Sequence, residues 1–496
     1  MRRGFRPWAR GLAGLASAGL LLLAGSLQTV DRSPWHDLPS AQPALADVAT
    51  RLAHASPPSP DFVRAGFGRA RLLVAPADPV PGDLSTAGPM SWPLAGYGQR
   101  RGQPAQGEHD PLWAKAVAFT VAGRTSVVVS ADLLIVPREV AGDAAERIRA
   151  RTGVGADAIY FGATHTHGGP GGWGEGRVAE AFAGPFIPGV REWLAGRLAD
   201  AAISALTDLA PAEIGHGSFA APEWVRHRLV GDAGRVDPEF SLLVVTLGSG
   251  EQAVIGSYAA HATVLPANIM HFHGDYPGAW QRSVEAGGIR LAVFLGGAMG
   301  SHAPRAPSSD WEGARAMGER LAQRTLETIP RLARTNRIAF GFETLPFDLP
   351  EPQVRLANNL RLRPWLARRL LPVRPDTRLQ ALRLGNAIWL STPADTSGEL
   401  ALDLKTLGRL HGLDVAVTSF NGDYVGYVVP AHYYDLNTYE TRTMSFFGPQ
   451  LPMAFEHLLA SLVRILAGSN GHPDPVVTPP PPAPTAPSRT LSDAGR

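Results

Sequence analysis

A short apolar segment that breaks into a glycine-rich loop carries two histidines separated by one residue. Residues 158–161 are predicted to form a buried strand, and His165 and His167 follow it within the run 163–172. Imidazole is a common metal ligand, and glycine lets backbone or substrate approach closely. In an extended backbone the two rings would point to different sides and take separate roles, one binding a cation and one handling a proton. From these residues alone, a metal site and a structural pair of hydrogen-bonded histidines both stay open.

The composition excludes several kinds of site and partner. The 496 residues include no cysteine, so any metal must be held by His, Asp, Glu, Tyr or backbone oxygen. Hydrophobic residues make up 45% of the chain and charged residues 18%, which permits a sizeable core. The net charge of +2 gives no basic field for nucleic acid, so no nucleic-acid partner is expected.

The N-terminal residues 1–30 predict a signal peptide or a membrane anchor. Arg2, Arg3, Arg6 and Arg10 precede the uncharged stretch 11–30, a positive region followed by an apolar one. The stretch approaches the ~20 residues that a spanning helix needs, so cleavage and retention both stay open. In either case we expect the rest of the chain to be exported, periplasmic or secreted, and possible attachment to the membrane follows from retention.

The remaining chain divides into three parts. Residues 31–60 are predicted to be a linker, residues 61–467 a single large catalytic domain, and residues 468–496 a disordered proline-rich tail. Strands alternate with helices in the middle part, which predicts an α/β fold of mixed β-sheets flanked by helices. Apolar periodicity predicts helices over 138–151, 188–206, 310–329 and 451–466, and a hairpin of strands 242–247 and 253–258.

Other predicted strands also end at polar residues. His261 follows strand 253–258, Asp395 follows strand 387–391, and Tyr427 lies in the loop after strand 415–420. Ligands of open α/β sheets gather beyond the carboxyl ends of the strands, so these residues together favour a site. A second His-x-His pair, His271 and His273, is a candidate second metal site, but a loop beside the pocket is the favoured interpretation.

These residues resemble the catalytic domain of the neutral/alkaline, non-lysosomal ceramidases. The resemblance runs from about residue 66 to residue 466, and its most specific parts are the runs 164–172, 424–427, 439–440 and 447–449. Members of that family are zinc amidases that cut N-acylsphingosines into fatty acid and sphingosine. The resemblance therefore implies Zn²⁺ as the cofactor, a lipid-like substrate and metal-assisted hydrolysis of an amide bond.

Carried over by position, the resemblance implies the zinc ligands His165, His261, Asp395 and Tyr427. The family has glutamate where this chain has Asp395. His167 matches a histidine beside the ligands and would protonate the leaving amine. Arg226 matches an arginine near the substrate, and Tyr427 or Arg226 would help to stabilise the oxyanion.

Two departures from the family bear on the substrate. Ala303 stands where ceramidases carry an active-site serine, and Ser301 is nearby but out of register. A proline-rich segment follows the catalytic body where the family usually has a C-terminal β-sandwich domain. The alternatives are therefore a zinc hydrolase of the same fold that acts on a different amide or ester, or a non-catalytic envelope binding protein.

Two further segments allow two interpretations each. Residues 361–371 are basic and amphipathic, which fits either contact with an anionic membrane surface or a solvated helix face. Trp173, just after the histidine loop, could line a lipid-accepting groove or pack in the core. The oligomeric state stays open.

Overall fold

The structure is a computed structural model that describes residues 25–74, 91–371 and 374–468. Residues 1–24 of the predicted signal or anchor lie outside the described residues, as does the predicted tail apart from Gly468. Among the described residues, no helix combines the length and the apolar character that crossing a bilayer requires.

Eight long strands build the larger of two main sheets. They are β1 (Asp61–Arg71), β2 (Trp113–Val121), β3 (Arg124–Ala131), β4 (Ile159–Ala163), β5 (Ala210–Ala220), β6 (Glu239–Leu247), β7 (Gln252–Tyr258) and β8 (Leu291–Gly296). They lie in the order β8-β7-β6-β5-β1-β2-β3-β4, with short strands Arg334–Thr335 and Arg337–Ile338 added to β5 and β1. The pairs at the two edges, β7–β8 and β3–β4, are parallel, and the other pairs between these eight strands are antiparallel.

The two edges of this sheet approach each other. Leu295 of β8 packs directly over Gly162 of β4, where an added Cβ would lie 2.3 Å from Leu295 Cδ2. Ser130 of β3 donates a hydrogen bond of 2.5 Å to the carbonyl oxygen of Phe294. Because the two edges approach each other, the carboxyl ends of β4 and β7 lie close together. The predicted site histidines follow these two strand ends.

A second sheet packs against the concave side of the first. It contains β9 (Phe340–Asp348), β10 (Asp376–Leu384), β11 (Ala387–Ser391) and β12 (Asp414–Thr418), in that order, with β11 and β12 parallel. Apolar residues of both sheets, among them Phe119, Val245 and Trp389, form a shared buried core. The inward-facing residues alternate along the strands, as burial of one face of each strand requires.

Helices cover the outer faces of both sheets. They are α1 (Gln42–Ala53), α2 (Arg138–Thr152), α3 (Arg177–Ala183), α4 (Pro188–Thr207), α5 (Asp275–Ala286), α6 (Trp311–Thr328), α7 (Pro364–Leu370), α8 (Gly398–Leu410) and α9 (Gln450–Ala467). Helices α2 and α4 cover one part of the larger sheet and α5 and α6 another, whereas α1, α8 and α9 cover the second sheet. The predicted α/β fold of mixed sheets flanked by helices is confirmed, and the four predicted helices and the hairpin lie within a few residues of their expected bounds.

The description of residues 31–60 as a linker needs correction. Helix α1 lies in this segment and buries Ala44 and Val48 in the core formed with α8 and α9. The proline-rich stretch 56–60 follows the helix in an irregular conformation. The proline-rich stretch 56–60 that follows the helix is what favoured a linker in the sequence.

The packing over Gly162 predicts that a larger side chain at this position lowers the stability of the fold. We expect Gly162→Ala to lower the free energy of unfolding by about 1–3 kcal/mol, since the new methyl group must displace the buried Leu295 side chain. Gly142→Ala in α2 is the matched control, because an added Cβ there meets nothing within 4 Å. It should be stabilising by about 0.5–1 kcal/mol. Chemical denaturation of the three proteins measures both effects, and equal midpoints for wild type and Gly162→Ala would refute the packing argument.

Candidate metal centre

Three histidines from two distant parts of the chain meet where β4 and β7 end. The Nε2 atoms of His165 and His261 are 2.9 Å apart, and His167 Nε2 is 3.3 Å from His165 Nε2. All three side chains are buried. One ring nitrogen from each lies within 4.8 Å of the others, and among the described residues no other group of three His, Cys, Asp or Glu side chains meets this criterion. We call these residues the histidine cluster.

The backbone at His165 explains why both histidines of the His-x-His pair point into the cluster. His165 has a φ of +61°, in the left-handed region that side chains other than glycine rarely adopt. The expected alternation of an extended chain is therefore wrong here, and the rings of His165 and His167 meet edge to face. Strain of this kind is concentrated at functional sites.

Contacts around the His165 ring determine which nitrogen faces the cluster. His165 Nδ1 donates a hydrogen bond of 2.7 Å to the carbonyl oxygen of Leu134. The ring of Phe420 stacks on the imidazole, with 3.7 Å between ring centroids and 4° between planes. A hydrogen bond from one ring nitrogen leaves the other, Nε2, with a lone pair directed at the cluster, as is typical of metal-binding histidines.

Burial keeps the cluster uncharged. Desolvation lowers the pKa of His165 to about 3, and it lowers the pKa of His167 and His261 well below the usual value of histidine. The positive charge of Arg228 acts in the same direction on all three. Neutral imidazoles are the form that binds a metal, so no proton has to be displaced at neutral pH.

Asp395 lies beside the cluster with one oxygen free. Its Oδ1 is 3.8 Å from His165 Nε2 and 3.9 Å from His261 Nδ1, and it is buried without a hydrogen-bond partner. Its Oδ2 accepts a hydrogen bond of 2.7 Å from the Tyr424 hydroxyl. Burial raises the pKa of Asp395 to about 7. A buried, unpartnered carboxylate oxygen next to neutral histidines is the environment that a cation would satisfy.

Tyr427 reaches Asp395 through a local strand pairing. The short strands Asp395–Thr396 and Tyr427–Val428 are parallel, with residues 395 and 427 in register. The Tyr427 hydroxyl lies close to the Asp395 carboxylate and to the Arg228 guanidinium. Burial raises the pKa of this hydroxyl well above its usual value, so it is protonated. The structure therefore brings five of the six predicted site residues together: His165, His167, His261, Asp395 and Tyr427.

Arg226 is the predicted residue that the structure does not bring to the site. It is exposed, in the strand Val225–His227 opposite Ala303. The strand ends one residue later, and Arg228 turns inward instead. The Arg228 guanidinium lies 5.2 Å from the centroid of the Tyr427 ring, pairs with Glu440 at 3.0 Å and donates to the Gly300 carbonyl oxygen at 2.9 Å. The arginine of the site is therefore Arg228.

The serine that ceramidases place near the metal has no substitute in this loop. Ala303 is buried in the short strand His302–Pro304. The Ser301 hydroxyl hydrogen-bonds with His302 Nδ1 at 3.0 Å and Ser397 Oγ at 2.9 Å, and it accepts from the backbone of Gly398. These bonds hold the start of α8 and direct the hydroxyl to that helix.

Two predicted features near the loop are structural. His273 is buried and its ring lies edge-on to Trp311, and neither it nor His271 belongs to a group of three potential ligands among the described residues. Trp173 is buried and donates a hydrogen bond of 3.0 Å to the Pro170 carbonyl oxygen, so it packs in the core.

Sequence analysis missed a buried arginine behind His167. The Arg100 guanidinium donates to backbone carbonyl oxygens, those of Ala95, His167, Ala267 and Ile269. The Tyr97 ring packs on the His167 ring, with 4.6 Å between centroids. Because Arg100 contacts backbone atoms of loops that are distant in the chain, no side-chain motif in the sequence indicates its position behind His167.

Comparison with known proteins supports the fold. No family model matches the chain, and no curated protein matches it by sequence. A neutral ceramidase structure from Pseudomonas aeruginosa aligns with a TM-score of 0.68 and 18% identity, covering 82% of this chain and 75% of that chain. The chain has the neutral ceramidase fold. A structure described as ceramidase complexed with C2 aligns with the same TM-score and coverage at 17% identity. The resemblance inferred from the motifs is thus confirmed at the level of the fold.

The geometry of the histidine cluster predicts a graded loss of affinity for a divalent cation, with Zn²⁺ as the probe. His165→Ala should abolish its binding, because it removes a central nitrogen of the cluster. Tyr424→Phe should weaken it about 10–100-fold, because Asp395 loses the donor that orients it. Tyr434→Phe is the matched control, since the buried Tyr434 hydroxyl has no hydrogen-bond partner. Competition titration with a chromophoric zinc chelator measures all three, and undiminished binding by His165→Ala would contradict the site.

Proposed function

We propose that the protein is a zinc-dependent amidase that hydrolyses the N-acyl bond of ceramide or of a related N-acyl lipid. The observation that carries the proposal is the convergence of His165, His167 and His261 beside a buried carboxylate oxygen that has no partner. Its place in a neutral ceramidase fold supports the reaction class. The fold relatives are named as ceramidases, which supports a lipid as the substrate.

In this proposal His165, His261 and Asp395 hold the metal, and Tyr427 lies next to it. Asp395 supplies the negative charge that three neutral histidines lack, and its free Oδ1 faces both His165 and His261. Because aspartate is one methylene shorter than glutamate, Asp395 binds the ion after a small approach of the strand or through a water. A bound zinc lowers the pKa of water to ~7 and polarises a carbonyl group.

The remaining residues of the site handle protons and the oxyanion. His167 is neutral because burial lowers its pKa, so it accepts the proton of the attacking water and passes it to the leaving amine. Arg228 and Tyr427 present hydrogen-bond donors close to Asp395. Glu440 and the Gly300 carbonyl oxygen hold the guanidinium in place before the substrate arrives, as oxyanion stabilisation requires.

Aromatic side chains around these residues suit an acyl chain. Phe182 lies 6.3 Å from the Tyr424 ring, and Tyr439 lies 5.7 Å from the Tyr427 ring, measured between centroids. Phe182 is partly exposed and Tyr439 is 55% exposed, so both rings are open to an apolar ligand. Apolar walls with a few polar groups are typical of small-molecule sites.

The second candidate function is hydrolysis of a different amide or an ester at the same centre. Ala303 favours it, because the hydroxyl that ceramidases place there is missing and Ser301 is engaged with α8. The chemistry attributed to His167, Arg228 and Tyr427 does not use that hydroxyl. The loss would therefore change which headgroup is recognised while leaving the hydrolytic machinery intact.

Localisation is part of the proposal. We propose that the chain works outside the cytoplasm, with residues 1–30 acting as a signal peptide or an anchor, on the strength of the arginines that precede the uncharged stretch 11–30.

Chelation provides the first test of the proposed function. Purified protein should hydrolyse at least one member of a panel of N-acylsphingosines, N-acyl amino acids and simple esters. A strong chelator should abolish that activity, and added zinc should restore it, because the water is activated only when the metal is bound. The chemical class of the substrate that is hydrolysed fastest distinguishes the two candidate functions. Activity that survives complete removal of the metal would overturn the mechanism.

The two neighbouring arginines provide the second test. Arg228→Ala should lower kcat about 10²–10³-fold, the usual cost of removing one preorganised oxyanion donor. Arg226→Ala should leave kcat and KM unchanged, because Arg226 is exposed and lies outside the site. Arg228→Lys keeps the charge next to Glu440 but loses the planar fork of donors, so it separates loss of the guanidinium geometry from loss of folding. A larger effect from Arg226 than from Arg228 would contradict the assignment.

A further inference from the structure

A small element of the fold collects apolar side chains that are exposed within the described part of the chain. The hairpin of short strands Arg355–Ala357 and Leu360–Leu362 leads directly into α7. Leu356 is 58% exposed, Trp365 57% and Leu370 53%. These three are half of the six exposed large hydrophobic side chains among the described residues. Their concentration within fifteen consecutive residues marks a surface, which we call the docking surface.

Positive charge accompanies this apolar surface. Arg363, Arg368 and Arg369 are all exposed. Arg368 pairs with Glu351, whereas neither Arg363 nor Arg369 has a carboxylate partner among the described residues. Exposed aromatic and aliphatic side chains next to unneutralised arginines are the composition of a segment that lies in the headgroup region of an anionic bilayer.

The uncharged N-terminal stretch arrives at the same place. Strand Leu27–Thr29 pairs antiparallel with Leu360–Leu362, with Leu27 opposite Leu362. The backbone N–H of Arg363 donates to the carbonyl oxygen of Ser26 at 2.8 Å. The last residues of the uncharged stretch 11–30 therefore belong to the same small sheet as the docking surface.

The docking surface is also connected to the entrance of the candidate site. The Arg355 guanidinium donates to the Thr441 carbonyl oxygen, and the Arg442 guanidinium donates to Asn358 Oδ1. These bonds tie the hairpin to the π-helical turn Tyr439–Thr443. The first residue of that turn, Tyr439, is the exposed ring beside Tyr427.

We propose that the docking surface rests on an anionic lipid bilayer. Leu356, Trp365 and Leu370 enter the boundary between headgroups and acyl chains, and Arg363 and Arg369 bind lipid phosphates. An N-acyl lipid then moves from the bilayer past Tyr439 to the histidine cluster. The contact with the membrane stands independently, and only the identity of the transferred lipid rests on the proposed function.

The absence of cysteine makes the contact directly measurable in the full chain. Trp365→Cys and Leu370→Cys each introduce a single thiol for an environment-sensitive fluorophore. Leu410→Cys in α8 and Phe62→Cys in β1 are the controls, because both native side chains are large, hydrophobic and exposed. On vesicles that contain phosphatidylglycerol, the emission at positions 365 and 370 should shift to shorter wavelength and that at 410 and 62 should not. The shift should be smaller on phosphatidylcholine alone.

Two further measurements distinguish a membrane from other occupants of the docking surface: the effect of reversing its arginine charges and the effect of protein concentration. Adding Arg363→Glu and Arg369→Glu to Trp365→Cys should remove most of the shift on anionic vesicles. The proposal is overturned by equal shifts at all four positions, or by a shift at 365 that needs no vesicles and grows with protein concentration, which would identify a second copy of the chain on this surface.

A kinetic comparison distinguishes this proposal from the proposed function. Combined Trp365→Ala and Leu370→Ala should reduce hydrolysis of an N-acyl lipid in anionic vesicles about tenfold, because two apolar anchors are lost. Hydrolysis of a soluble short-chain analogue should be unchanged. If neither substrate is hydrolysed by the wild type, the proposed function fails and the fluorescence result still decides the membrane contact. Equal losses on both substrates would overturn the docking role.

Discussion

The close approach of the two edges of the larger sheet determines where the chemistry of this molecule can lie. Gly162 has no side chain, so Leu295 of β8 lies directly against β4. The ends of β4 and β7 then meet, and His165 comes within hydrogen-bonding distance of His261 although 96 residues separate them. All three histidines are buried, and that burial lowers their pKa values. A packing constraint in an apolar core therefore decides both the position and the protonation of the polar cluster.

Charge at the candidate site is distributed in a way that favours a bound cation. Three neutral histidines surround a point that one carboxylate oxygen of Asp395 also approaches, while the positive charge of Arg228 is matched by Glu440. Without a cation, the buried Asp395 oxygen is unsatisfied, and burial raises the pKa of that carboxyl to about 7. A divalent ion would compensate the cost of burying the carboxylate and would be held by groups that are already oriented.

Apolar periodicity predicted the layers of the fold, and polar residues at strand ends predicted which side chains come together in the candidate site, because both depend on local patterns of burial. The long helices and the α/β class follow from apolar spacing, and His165, His261 and Asp395 follow from polar residues placed after strands. The errors have local causes that spacing does not reveal. The left-handed backbone at His165 turns its ring toward His167. The three-residue strand Val225–His227 ends just before Arg228, so Arg228 points inward whereas Arg226 is exposed.

Ala303 bears on one property of the candidate site, the recognition of the substrate, and not on the other, the chemistry proposed for the hydrolytic groups. Resemblance to the family alone would not distinguish the two. The groups proposed to bind a metal, move a proton and stabilise an oxyanion lie on β-strand ends and loops held by the two sheets, and none of the roles proposed for them uses a side chain at position 303. Ser301 is committed to the start of α8, so a simple change of rotamer would leave Ser397 and the Gly398 N–H without their partner. In the proposed amidase, selection among substrates would therefore come from other side chains near the cluster, where Phe182, Tyr424 and Tyr439 offer apolar area and few polar groups. Such walls discriminate weakly between ligands that differ by a few methylene groups, which favours a site that accepts a range of acyl chains over one built for a single lipid.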